Sequence, residues 1–337
     1  MNFRQLLSDP ALKSEFFARI DEIAANADAE SGGLEGLEGG ISPTEIRDVA
    51  ESMAEGRWDS SDPGLEAIIR RFLRPVYLVQ RGTFALPAEN SALSHRITAR
   101  LDAARSKLDR VIGSTGRIDL RNHRLDWVGT GWMVAPRMVV TNRHVAEEFG
   151  RAADHGFAFK HADGGRRVAA YLDWRQEFQQ PEESRFRVEE IRWIEPEESV
   201  DVALLLISGV GESGEAPPQA VSLMTHEEVR QLNVGAWLAV IGYPGYDSRN
   251  DPGDQQRIFD GIYNVKRLAP GQITAFVRNE LLNHDATTLG GSSGSVVVDL
   301  TSGKALALHF GGLEGELNSA VLAPQVARIA YTHGNGD

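Results

Sequence analysis

Thr287-Thr288-Leu289-Gly290-Gly291-Ser292-Ser293-Gly294-Ser295-Val296-Val297-Val298 is the stretch on which the reading of this chain turns. Glycines around a serine let the backbone turn tightly, so that neighbouring N–H groups can converge on one spot. The amides of Gly291 and Ser293 are then candidate donors to the oxyanion of a tetrahedral intermediate, with Ser293 as the candidate nucleophile. The valine run that follows reads as a buried strand. Taken alone, such a loop is more often a plain turn, so other segments must decide.

Two do. Gly129-Thr130-Gly131-Trp132-Met133-Val134 is followed by Val139-Val140-Thr141-Asn142-Arg143-His144-Val145-Ala146, which sets a histidine just past a strand end. His144 is placed there to act as a general base, although one of nine histidines on a loop can also have no role. Ser199-Val200-Asp201-Val202-Ala203-Leu204-Leu205-Leu206-Ile207 opens an apolar strand with an aspartate. A carboxylate there is costly to bury unless it is paired, and the Nδ1–H of His144 is a suitable partner; the plain alternative is a strand-entry aspartate in a turn. The three residues come in the order His144, Asp201, Ser293, separated by 57 and 92 positions, each beside a β-rich run.

The chain after Gly113 is built of such runs: Arg117–Leu120, Trp127–Val134, Met138–Thr141, Val202–Ile207, Trp237–Tyr243, Gln272–Val277, Ser295–Asp299 and Ala305–Phe310. Short strands with Gly and Pro turns predict an all-β barrel or sandwich. With the three motifs in this order, the chain resembles the chymotrypsin/trypsin superfamily of serine peptidases, from about Arg117 to the C-terminus. The resemblance implies a mainly β, two-barrel chymotrypsin-like peptidase domain over 113–337, with barrels at about 113–215 and 230–322 and a C-terminal helix at 323–333. It also implies a catalytic triad of His144, Asp201 and Ser293, an oxyanion hole of the Gly291 and Ser293 amides, and hydrolysis of peptide bonds in protein substrates.

Within the superfamily the chain is most similar to the bacterial glutamyl-endopeptidase branch. The shared features are Gly291-Ser292-Ser293-Gly294-Ser295, Ile241-Gly242-Tyr243-Pro244-Gly245 and His309-Phe310-Gly311-Gly312. That likeness implies a primary pocket lined by Thr288 and His309 and cleavage after acidic residues, helped by protonation of His309 and therefore weaker as pH rises. His309 as a structural strand residue is the alternative. Many digestive members have an aspartate just before the nucleophile, which captures a newly freed amino terminus. Here that position is Ser292, so activation through that ion pair is closed to this chain.

Two rivals stand beside this reading. Gly290-Gly291-Ser292-Ser293-Gly294 also fits Gly-x-Ser-x-Gly, the nucleophile turn of an α/β-hydrolase esterase with Ser292 as nucleophile. That fold needs a helix after the serine and an acid and histidine later, whereas a valine run follows and few residues remain. The other rival is a non-catalytic binding module on a peptidase fold. Nothing resembles a dinucleotide or phosphate loop, so no cofactor is expected. His155 and His161 read as surface residues, and no metal site is expected.

Composition sets the remaining bounds. The 337 residues carry a net charge of −13, which argues against a nucleic-acid partner. There is no cysteine, no run of eighteen apolar residues and no apolar leader in Met1–Ile20, so a soluble cytoplasmic protein without a membrane partner is expected. Residues 1–75 hold 8 Lys/Arg against 15 Asp/Glu and read as a small helical N-terminal region, a candidate regulatory or partner-binding module. Its predicted parts are a helix through Leu12, Phe16 and Ile20, a flexible Ser31–Gly40 linker, a helix capped at Ser42-Pro43-Thr44-Glu45, and another opened by Ser61-Asp62-Pro63. Residues 76–112 read as a connecting segment with a single helix from Asn90 to Val111. The Glu182-Glu183, Glu189-Glu190 and Glu195–Glu198 clusters read as solvated loops of an insertion between His144 and Asp201.

Overall fold

Strand pairing organises the protein. The computed structural model describes residues 9–27, 43–55, 57, 72, 74–85, 94–250, 252–311 and 318–334. The helices bounded within them are α1 (Pro10–Ala27), α2 (Pro43–Ala54), α3 (His95–Ala103), α4 (Arg105–Gly113), α5 (Arg143–Phe149), α6 (His226–Arg230), α7 (Pro252–Phe259) and α8 (Ala323–Gly334). The first strands are β1 (Tyr77–Gln80), β2 (Thr83–Phe84), β3 (Thr115–Arg121), β4 (Trp127–Ala135), β5 (Met138–Thr141), β6 (Gly150–Ala152), β7 (Phe157–Phe159), β8 (Ala169–Asp173), β9 (Arg185–Ile194) and β10 (Ala203–Ile207). They are followed by β11 (Trp237–Gly242), β12 (Arg267–Val277), β13 (Leu281–His284), β14 (Val296–Asp299), β15 (Ala305–Gly311) and β16 (Asn318–Leu322).

Six antiparallel strands close the first barrel in the order β10-β5-β4-β3-β8-β9. Its interior is apolar, filled by Ile118, Met133, Val139, Phe149, Leu172, Phe186, Ile191 and Leu205. The second barrel runs β11-β14-β15-β16-β13-β12 and closes by β11 pairing with β12. Both barrels abolish the free strand edges that an open sheet would leave. The expected two-barrel, mainly β architecture is what the chain adopts.

Contacts divide the chain into two units. One comprises Met1–Val76, Leu86–Asp102 and Ser248–Gly261; the other comprises Tyr77–Ala85, Ala103–Asp247 and Ile262–Asp337, which holds both barrels. In the first, Asp9 Oδ1 accepts from the N–H groups of Ala11 and Leu12 and caps α1. Phe16 of α1 meets Phe72 edge-on, with ring centroids 5.1 Å apart. The predicted Ser31–Gly40 linker, the Ser42 cap, the helix start at Ser61 and Gly312 lie outside the described residues. Among those described, no helix is long and apolar enough to cross a membrane.

Three expectations need correction. The helix predicted from Asn90 to Val111 begins at His95 and breaks at Ala104 (φ −96°, ψ 0°). Ser94 Oγ accepts from Ile97 N–H at its start, and the Ala104 carbonyl accepts from Lys107 and Leu108 to begin α4. Arg105 pins that second start by donating to Thr83 Oγ1 and the Phe84 carbonyl while lying over the Phe84 ring. Second, part of the connecting segment is a hairpin, β1–β2, added to β12 through Tyr77 opposite Leu268. Third, Glu189 and Glu190 stand on β9, a wall of the first barrel, rather than on a loop, and Glu195 is buried just beyond it. Phe186, Val188, Ile191 and Ile194 point inward there, and a register shift at Glu189 breaks the alternation and turns both glutamates outward. Five charges in ten residues hid that pattern.

Candidate active site

The antiparallel pairing of β5 with β10 sets Thr141 opposite Ala203. His144, three residues after Thr141, and Asp201, two before Ala203, therefore meet at one end of the first barrel. Asn142 precedes α5 in an extended conformation, and its Nδ2 donates to the Asp201 carbonyl at 2.9 Å. The Asp201 carboxylate then grips His144 twice. Oδ1 accepts the His144 backbone N–H at 3.2 Å, and Oδ2 lies 2.7 Å from Nδ1. An ionised carboxylate can only accept, so in the neutral ring Nδ1 carries the proton and Nε2 keeps its lone pair. The aspartate is mostly enclosed (13% side-chain exposure) whereas the imidazole is 47% exposed, which leaves Nε2 accessible to a reactant.

Ser293 lies on the loop between β13 and β14, half-buried, between two glycines in the left-handed region, Gly291 (φ +85°) and Gly294 (φ +87°). A side chain at Gly294 would collide with the Thr130 carbonyl, so no larger residue fits against β4. The loop is held from several directions. Thr130 N–H donates to the Ser293 carbonyl at 2.9 Å, Gly245 N–H to Gly290 at 2.7 Å, and Gly294 N–H to His309 at 2.9 Å. Among the described residues, the amides of Gly291 and Ser293 donate to no group of the chain. Ser292 is buried and its N–H donates to the Leu289 carbonyl. A strand, β14, follows the loop where an α/β-hydrolase requires a helix, so the Ser292 esterase reading fails.

The two pocket candidates flank this loop. His309, on β15, is buried, and its Nδ1 stands 3.2 Å from Nε2 of His284 on β13, a residue with no motif around it in the sequence. Burial, then the charges of His284 and His144, drive the His309 pKa well below the usual histidine value, and burial lowers that of His284 to about 3. Both shifts favour neutral rings at neutral pH in the free protein, the state opposite to the protonated His309 expected from the sequence. Thr288 Oγ1 donates to Asn318 Oδ1 at 2.9 Å, and Asn318 Nδ2 to the Ala286 carbonyl at 2.7 Å. His155 and His161 are exposed, as expected of surface residues.

A family model for the trypsin-like peptidase domain matches residues 129–308, more than half of the chain. The chain belongs to the trypsin-like peptidases. Over 238 residues it is 29% identical to a probable serine protease from Lysobacter enzymogenes, covering 63% of this chain and 60% of that relative. It thus spans less than two-thirds of the relative's length. The active form of the Rv3671c protease from M. tuberculosis is similar at 20% identity and a TM-score of 0.44, over 68% of this chain and 85% of that one. The inactive form of the same protease gives 20% identity and a TM-score of 0.41, over 68% and 93%. His144 stands at one end of the first barrel and Ser293 on a loop of the second. His284 and Asn318 are neighbours of this loop that sequence reasoning missed, while Thr130 and Gly245 stood in quoted motifs without a role of their own.

Proposed function

We propose that this trypsin-like peptidase is a serine endopeptidase with His144, Asp201 and Ser293 as its triad. The observation that carries the reading is the double hold of Asp201 on His144, which presents a lone pair at Nε2. Ser293 Oγ attacks the carbonyl carbon of the scissile bond and passes its proton to Nε2. The oxygen of that carbonyl becomes an anion facing the amides of Gly291 and Ser293. The C–N bond then breaks, the leaving amine takes the proton from Nε2, and water repeats the cycle on the acyl-enzyme. Asp201 keeps the ring in one tautomer and stabilises the imidazolium.

The substrate we assign has Glu, and less often Asp, before the scissile bond. Thr288 and His309 line the primary pocket, and His309 serves as a neutral donor whose ring is oriented by His284 behind it. The helical region, residues 1–75, acts as a regulatory module for a protein partner. The cysteine-free chain suits a reducing compartment, the cytoplasm.

Labelling of the full chain with a fluorophosphonate tests the core of the reading. Wild type should label at Ser293 and Ser293→Ala should not. A wild-type chain that resists labelling and cleaves no peptide in a library is a binding module instead.

A further inference from the structure

Thr130 is fully buried in β4 and uses every polar atom it has on the serine loop and its surroundings. Its N–H donates to the Ser293 carbonyl at 2.9 Å, and its carbonyl accepts the Thr141 hydroxyl at 2.7 Å. Its own hydroxyl accepts Tyr243 N–H at 3.2 Å and donates to the Gly291 carbonyl at 3.3 Å. A hydroxyl has one proton, so the bond received from Tyr243 leaves that proton aimed at Gly291. One side chain and its backbone therefore grip the loop on both sides of Ser292.

That grip bears on the oxyanion donors through peptide geometry. In a trans peptide the carbonyl and the following N–H point in opposite directions. The Gly290 carbonyl is taken by Gly245 N–H, which aims the Gly291 N–H the other way; the Ser292 carbonyl is taken by Ser295 N–H, which does the same for Ser293. Gly245 and Ser295 thus hold the two donor peptides, and Thr130 holds the Gly291 and Ser293 carbonyls that follow each donor N–H, which fixes the backbone on the far side of both. The anchor is itself secured, since Tyr243 is buried two residues before Gly245 and the Pro244 carbonyl accepts Asn264 N–H at 2.9 Å.

We propose that Thr130 is a positioning residue of the oxyanion hole, holding the carbonyls on either side of Ser292 so that the Gly291 and Ser293 amides stay aimed at the reacting carbonyl. The inference rests on the assignment of Ser293 as nucleophile. Thr130→Val keeps the shape and removes the hydroxyl; Thr130→Ser restores it. The full-length variants are compared for kcat, KM and affinity for a peptide boronic acid, which forms a tetrahedral adduct. With thermal unfolding unchanged, Thr130→Val should lose on the order of 10- to 100-fold in kcat and in boronic-acid affinity, with KM within about threefold, and Thr130→Ser should recover most of both. If Thr130→Val does not fold, Thr130→Ala, which also removes the hydroxyl, carries the same expectation. A normal kcat in the folded variant, or a loss that Thr130→Ser fails to restore, overturns the proposal while Ser293→Ala remains inactive. Activity retained by Ser293→Ala would instead remove the nucleophile assignment beneath it.

Discussion

His284 and His309 face each other, Nε2 to Nδ1, at 3.2 Å, and neither ring is open to solvent. Burial lowers both pKa values, that of His284 to about 3, so the folded protein keeps neutral rings where the unfolded chain binds protons. The unfolded state thus takes up more protons below about pH 6.5, and stability is lost as pH falls from there toward the folded values. The slope should approach about 1.4 kcal/mol per pH unit for each such histidine. His284→Gln, which keeps a donor near the Nε2 position, should flatten the decline. Chemical denaturation at several pH values between 4 and 7 measures it, and an unchanged slope in the variant counts against this origin.

In the proposed primary pocket the same pair governs the pH behaviour of selectivity. A neutral His309 does not titrate near neutrality, so the ratio of Glu to Gln cleavage should stay flat between about pH 6.5 and 8.5. His309→Ala should slow Glu substrates more than Gln substrates. Apolar residues before the scissile bond, with rates indifferent to His309→Ala, would leave His309 a structural strand residue.

The triad is tested by substitution. Ser293→Ala, His144→Ala and Asp201→Asn should each cost on the order of 10⁴ or more in kcat. Asp201→Asn should act through the tautomer, because an amide can donate to Nδ1 and push the proton to Nε2. Ser292→Ala should cost far less. Peptide hydrolysis under saturating substrate decides between the two serines.

Lys266 is buried where the barrels join, donating to the carbonyls of Ile112 (2.9 Å) and Trp174 (2.7 Å) and lying 3.3 Å from Glu177 Oε1. Burial lowers its pKa to about 8, with the Glu177 charge opposing the shift. Lys266→Met should destabilise the protein by about 3 kcal/mol or more, since it strands a buried carboxylate. Adding Glu177→Gln, which still accepts the Gly82 N–H bonded to Glu177 Oε2, should recover part of the loss. Denaturant midpoints for the two variants check this; a double variant no more stable than the single would assign the cost to the two carbonyls.

Removal of residues 1–75 should leave both barrels folded, because their cores are formed by later residues, and should shift basal activity or partner binding rather than the triad chemistry. Circular dichroism and kcat on a peptide substrate report the two separately. An unfolded truncation would show that the helical region completes the catalytic unit.

Much was legible in the chain itself. Alternating or continuous apolar runs announced half of the strands, because burial against one barrel interior imposes a period of two or none at all. His144, Asp201 and Ser293 stood out as candidates because side-chain type, neighbouring glycines and strand ends are local properties. Only tertiary structure decided the rest. Strand β9 hides its inward residues among charges that face solvent, and the β1–β2 hairpin acquires its place by pairing with β12. His284 gains meaning only when β13 and β15 lie in one barrel, and Thr130 only when β4 meets a loop 161 residues further on. Apart from the Thr130 hydroxyl, the bonds that hold the serine loop join backbone atoms, which every residue possesses, so no sequence pattern marks them.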